Sequence, residues 1–338
     1  MKLLVTGGCG FLGSHFIRTW LKRHPDDDVL NVDCLTYAGS LDNLEDAADH
    51  PHYRHIKIDI ADPSTAIRLA AEPFDLLIHF AAETHVDRSL EDAGRFVRTN
   101  VLGTQALLAA ASQRTTNTSE SPSVIIISTD EVYGPTPEGE AFDEQQPLNP
   151  TSPYAASKAA ADLMARSYAR SYGIDVTVIR SVNIYGPRQY PEKLTPLFVT
   201  RALAGEKLPL YGDGEQRRCW LYVDDYVDGL IRIAENPEIR RQQSIWHLGS
   251  NHERINRDVA QMLCEFCAAD PGLIAGVPDR PGHDRRYALS FGATTKHTGW
   301  QPQIDLNTGL KRTVEWIKAN LEWCRERARW KPSFLSEY

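Results

Sequence analysis

The strongest restriction on the fold stands at the very start of the chain. Lys2 to Thr6 read as a short apolar strand, and Gly7-Gly8-Cys9-Gly10-Phe11-Leu12-Gly13 follows at once, opening into a helix-like run through Leu21. Glycines at 7, 10 and 13 let the backbone turn tightly, approach a pyrophosphate and pack helix against strand. The new helix then offers its unpaired N–H groups to the phosphates. The next strand, Val29 to Val32, ends in Asp33, twenty residues beyond Gly13. An acid there hydrogen-bonds both ribose hydroxyls and repels a 2′-phosphate, so the expected cofactor is NAD rather than NADP.

Further strands are expected at Arg54 to Ile60, Leu76 to Phe80, Val124 to Thr129, Val176 to Ser181 and Ile245 to Leu248. Their alternation with helical segments predicts an α/β fold, a Rossmann-type doubly wound parallel sheet. Asp59 and Ile60 close the first of these strands, where adenine would lie. Small residues at Ala81 and Ala82 let the backbone pass close to the cofactor. After about residue 184 the pattern loosens into a smaller C-terminal substrate-binding lobe. The expected division is 1–184 for the NAD-binding domain, with a strand near 244–249 returning to its sheet, 185–330 for the lobe, and 331–338 as a tail. Helices are expected over Ala93 to Ala111, Tyr154 to Ala169, Asp258 to Cys267 and Asn307 to Arg325, and an exposed loop over Gln113 to Ser123.

Composition narrows the class. With 338 residues and 42% hydrophobic content the chain can bury a large core, and no apolar run is long enough to span a membrane. A net charge of -8 argues against a nucleic-acid surface. Met1 leads directly into a strand, so a cytoplasmic location is expected. Cys264 and Cys267 form a lone C-x-x-C inside a helical pattern and read as helix cysteines rather than metal ligands; no metal is expected.

The run Val124-Ile125-Ile126-Ile127 reads as a strand buried on both faces, and it ends in Ser128-Thr129-Asp130-Glu131. Two carboxylates at the carboxyl end of a buried strand stand where open α/β sheets place their chemistry. Ser152-Pro153 supplies a cap and a first-turn proline, so Tyr154 and Lys158 fall one turn apart on a single helix face. An ammonium beside a phenol is expected to lower the phenol's pKa and make it a general base.

The glycine loop, Asp33 and the Tyr154/Lys158 pair together resemble the extended short-chain dehydrogenases/reductases. Ala82 to Ser89 (AETHVDRS), Ser128 to Gly134 (STDEVYG), Tyr185-Gly186-Pro187, Pro191 to Leu194 (PEKL), Trp220 to Val223 (WLYV) and Asp279 to Ala288 (DRPGHDRRYA) resemble, more narrowly, the nucleotide-sugar 4,6-dehydratases. That resemblance implies catalysis by Thr129, Asp130, Glu131, Tyr154 and Lys158. The expected cofactor contacts are Gly7, Gly10, Phe11, Leu12, Gly13, Asp33, Leu35, Thr36, Asp59, Ile60, Phe80, Ala81, Ala82 and Thr99, with Tyr154 and Lys158. The substrate contacts it implies are Thr84, Thr129, Asn183, Lys193, Leu194, Pro209, Tyr211, Arg218, His252, Arg285 and Tyr287, with Arg218 and Arg285 on the diphosphate. It further implies dTDP-glucose as substrate, with UDP-glucose or UDP-N-acetylglucosamine as alternatives. A C4 epimerase or a non-catalytic NAD-binding regulator fits the adjacent Asp-Glu pair less well. A homodimer joined through a four-helix bundle, from Ala93 to Ala111 and the Tyr154 helix, is expected.

Overall fold

A computed structural model describes residues 1–117, 122–242 and 244–328. Its strands are β1 (Lys2–Thr6), β2 (Asp28–Asp33), β3 (Tyr53–Lys57), β4 (Leu76–His79), β5 (Ser123–Ile127), β6 (Asp175–Ser181), β7 (Asn183–Tyr185), β8 (Leu208–Tyr211), β9 (Arg217–Tyr222), β10 (Ile245–Leu248), β11 (Glu253–Ile255) and β12 (Ile274–Val277). Seven of them make one parallel sheet in the order β10-β6-β5-β4-β1-β2-β3. The chain steps outward from β1 to β2 and β3, then returns to the other side of β1 with β4. The crevice at that reversal is where such sheets bind ligands.

The sheet separates two apolar cores, and the period-2 alternation of its strands divides them. Leu3, Val5, Ile78 and Ile125 face one core with Phe16 and Trp20 of the helix Phe11–Arg23. Leu4, Leu77, Val124 and Ile126 face the other with Leu107, Leu108 and Ala165. The central β5 is buried along its whole length, which is why its sequence is continuously apolar instead of alternating. Beyond the sheet lie a three-stranded sheet, β11-β9-β7, and a two-stranded one, β12-β8.

The helix Pro153–Tyr172 begins as its sequence predicts: Ser152 Oγ accepts from the Ala155 N–H at 3.1 Å, and Pro153 occupies the first turn. Such a cap contributes about 1 kcal/mol. Gly173 ends the helix in the left-handed conformation, φ 69°. Deeper in this helix Asp162 is fully buried and pairs with Arg180 of β6 at 2.9 Å. Asp162 also accepts from Ser128 Oγ at 3.0 Å, while Arg180 donates to the Tyr133 hydroxyl at 2.6 Å.

Several boundaries differ from expectation. The third strand stops at Lys57, because Ile58 to Ile60 turn away from β2 toward the crevice. The fourth and fifth stop at His79 and Ile127; Thr129 instead caps the single 3-10 turn Asp130–Tyr133, accepting from the Glu131 N–H at 3.3 Å. Gln113 to Asn117 continue the helix Thr104–Asn117, and Ser123 starts β5; 118–121 lie outside the described residues, as does the 331–338 tail. The helix expected from Asn307 to Arg325 breaks at Asn320 into Leu306–Ala319 and Leu321–Arg327. Within Ala93 to Ala111 the residues Val97–Gly103 form a π-helix. Among the described residues no helix is long and apolar enough to cross a membrane.

Candidate active site

The carboxyl ends of β1, β2, β4, β5 and β6 open into a groove of about 550 Å³. Gly7 lies at φ 71°, and a side-chain carbon there would stand 2.4 Å from the Ala81 nitrogen. Gly7 therefore lets the loop pass against the end of β4. At Gly10 an added carbon would meet only the Gly7 carbonyl, at 3.3 Å, so the glycine leaves space on the groove side. The first-turn amides of the helix that begins at Phe11 have no partner within the helix. At the end of β2 the Asp33 carboxylate accepts from the Cys9 and Leu35 N–H groups at 2.9 and 2.8 Å. Burial raises its pKa, and the two amides oppose that shift. It borders the groove with lone pairs still available. A small-residue cradle, open helix amides and an acid at the ribose position fit NAD.

Gly7, Gly10, Phe11, Leu12, Gly13, Asp33, Thr36, Asp59, Ile60, Phe80, Ala81, Ala82 and Thr99 all border this groove, together with Thr129, Asp130, Glu131, Tyr154 and Lys158. Leu35 does not; it takes φ 54° and gives its amide to Asp33. The π-helix presents Thr99 to the groove and buries Asn100 behind it. Asn100 holds the Glu83 backbone through 2.9 and 3.0 Å bonds and donates to Ser157 Oγ at 2.8 Å. It thereby ties the loop after β4 to the Tyr154 helix.

A second cavity, of about 220 Å³, adjoins the first. Thr84, Glu131, Asn183, Gln189, Glu192 and Lys193 border both. Leu194, Pro209, Tyr211 and Arg218 border the second. Arg218 is buried, donates to the Asp284 carbonyl at 3.0 Å and lies 4.4 Å over the Tyr287 ring. Tyr287 is thus behind Arg218 rather than in the cavity, with its hydroxyl on Asp284 at 2.7 Å. His252 is not on the lining either; its backbone carbonyl pairs with the Trp220 N–H. Arg285 points outward and grips exposed Asp213 at 2.8 and 2.9 Å. Arg280, beside Asp87 at 3.4 Å, borders the cavity together with Arg201, His283 and Asn256. Sequence reasoning missed these four and Asp87, Gln189 and Glu192. Arg280 and His283 lay within a motif already singled out.

The charge states of the central groups follow from their burial. Asp130 is pushed up to about 7, first by burial and second by the Glu131 charge. Burial also raises Glu131, but Arg280, Arg218 and Lys193 draw it back. The site thus favours a neutral Asp130 beside an ionised Glu131. Tyr154 departs from expectation: its pKa is raised, by burial and then by the Glu131 charge, and the contact with the Thr129 hydroxyl offsets this only in part. Lys158 donates instead to the Ile127 carbonyl at 2.6 Å, and burial lowers it to about 8 while Asp162 holds it up.

A Rossmann-type sheet whose crevice joins a Tyr/Lys helix to a carboxylate pair defines an extended short-chain dehydrogenase/reductase. The chain belongs to the family described as GDP-mannose 4,6 dehydratase, whose model matches residues 4–313. It is 43% identical over 327 residues to a dTDP-glucose 4,6-dehydratase of Streptomyces niveus, covering 96% of this chain and 94% of that one. The crystal structure of DesIV, a dTDP-glucose 4,6-dehydratase from Streptomyces venezuelae solved with NAD bound, superposes with a TM-score of 0.90. It is 44% identical and covers 97% of this chain and 100% of its own. A UDP-glucose 4-epimerase from Thermus thermophilus shares the fold at a TM-score of 0.84 and 30% identity, covering 94% and 99%.

The Asp130 assignment is open to infrared titration of the cofactor-free protein. A protonated carboxyl band is expected below about pH 7, fading above it and missing in Asp130→Asn. A spectrum without that band at about pH 5.5 would overturn the assignment.

Proposed function

We propose that the protein is an NAD-dependent nucleotide-sugar 4,6-dehydratase that converts dTDP-glucose to dTDP-4-keto-6-deoxyglucose. The observation that carries the reading is the Thr129-Asp130-Glu131 turn, which places a hydroxyl and two carboxyls at the junction of the cofactor groove and the second cavity. An epimerase, which only inverts C4, gives two buried acids of unlike charge state no task. NAD contacts by the groove residues, and nucleotide contacts by Arg218, Arg280 and Tyr211, belong to this reading.

The C5 proton of a hexose is not acidic until C4 is a ketone. Bound NAD supplies reversible hydride storage, from C4 and back to C6. Tyr154 receives the O4 proton during the oxidation, and Thr129 holds O4 by a hydrogen bond. The raised phenol pKa means that Tyr154 rests neutral, so it gives its own proton to solvent before it takes the one from O4, and Asp130, left ionised by the departing water, regains a proton from solvent. Glu131 then removes the C5 proton, and Asp130 gives its proton to the departing C6 hydroxyl, which leaves as water. Glu131 returns its proton to C5 as C6 is reduced. The balance requires one neutral and one ionised carboxyl, the arrangement argued above.

Without added NAD, the purified protein is expected to remove one water's mass from dTDP-glucose in preference to UDP-glucose and UDP-N-acetylglucosamine. Glu131→Gln should keep its NAD and lose turnover by roughly 10²–10⁴-fold. Undiminished turnover would sink the role of Glu131, and no mass change even with NAD supplied would sink the substrate assignment.

The two arginines separate cleanly. Arg280→Met should raise KM for the nucleotide sugar about 10-fold or more by removing a charge-assisted contact, while Arg285→Met should leave KM near its original value. The reverse pattern would return the nucleotide to Arg285.

Exposed Val97, Leu102 and Leu163, on the two helical runs expected to pair, support a homodimer through a four-helix bundle. Six free cysteines support a reducing, cytoplasmic setting. Light scattering should give twice the chain mass, and Leu102→Glu with Leu163→Glu should halve it; a monomeric parent protein would dispose of the dimer.

A further inference from the structure

The segment 187–193 follows β7 and contributes Lys193 to the substrate cavity, yet it is fastened to the other side of the cofactor groove. Its central residue is Glu192, whose side chain is only 3% exposed. Glu192 accepts from the Tyr37 hydroxyl at 2.9 Å and from Arg88 Nε at 2.9 Å. The Arg88 guanidinium lies 4.0 Å over the Tyr37 ring, and Tyr190 meets that ring edge-on at 5.3 Å. The two ends are pinned as well: the Pro187 carbonyl is 2.9 Å from His15 Nε2, and Lys193 Nζ donates to the Thr84 carbonyl at 2.8 Å. Tyr37 stands in the loop after Asp33, at the ribose end, and Tyr190 and Glu192 border the same groove as Gly10 and Asp33.

We propose that Tyr37, Arg88 and Glu192 form a clasp that keeps NAD bound from one turnover to the next. A buried carboxylate stripped of a partner is costly, so opening the segment without separating these three side chains is disfavoured. They are positioning residues: Tyr37 and Arg88 border neither cavity and act through Glu192. The proposal rests on the NAD-dependent reading above and adds to it a reason for cofactor retention.

The test measures exchange of bound NAD against isotopically labelled NAD in the holoenzyme, alongside the melting temperature and kcat at saturating NAD. Tyr37→Phe deletes one hydroxyl donating to a charged group and should speed exchange about tenfold or more, with kcat unchanged and the melting temperature lowered by only a few degrees. Arg88→Gln should speed it further. Exchange at the parent rate in both variants overturns the clasp while leaving the dehydratase reading intact. A parent protein that holds no NAD and takes none up overturns that reading and the clasp together.

Discussion

Desolvation of charge at the end of a buried strand governs the centre of this protein. β5 carries no polar side chain between Val124 and Ile127, and the turn after it brings buried Thr129 and Asp130 and half-buried Glu131 to the groove. Two adjacent carboxylates in such surroundings cannot both keep their charge cheaply. The surrounding cations settle which one does: Arg280, Arg218 and Lys193 favour charge on Glu131, and Asp130 takes the proton. The same burial lowers the Lys158 ammonium to about 8 and keeps the Tyr154 phenol neutral. A difference in charge state between two adjacent carboxyls is therefore built into the resting protein.

Supporting that centre is a layer of buried polar groups paired with side chains and backbone from distant parts of the chain. Asp162 lies one turn beyond Lys158 and ties Arg180 of β6 and Ser128, just past β5, to the Tyr154 helix. Asn100 does the same for the loop after β4. These contacts fix side-chain positions to the tolerance that proton transfer demands, which apolar packing alone would not specify.

Much of this was legible because it is local. The glycines, Asp33, the continuously apolar β5 and the Ser152-Pro153 cap each act within a few residues, and the structure places each as read. The misreadings share a different cause. Arg280 and Arg285 lie in one irregular stretch, and without a helix or strand period the sequence does not say which of them faces inward. Asp213, a long way off in sequence, decides it by pairing with Arg285. The π-helix at Val97–Gly103 leaves no mark in an apolar pattern, although it sets where Thr99 points. Proximity of Tyr154 and Lys158 was readable from their spacing. What was not readable is that Ile127 offers its carbonyl to the ammonium and that burial outweighs any help the phenol gains.

The placement of β10 reaches into how the molecule is made. β6 ends at Ser181, but the strand that covers its outer edge does not begin until Ile245, after three further strands of the smaller sheets have been laid down. During synthesis the open side of β6 therefore waits, with unpaired backbone groups, for a segment far along the chain. Closure of so distant a contact is slow, and a bare strand edge invites pairing with another chain. The seven-stranded sheet thus reaches its final form only after Leu248 has been translated, when β7, β8 and β9 of the smaller sheets are already made.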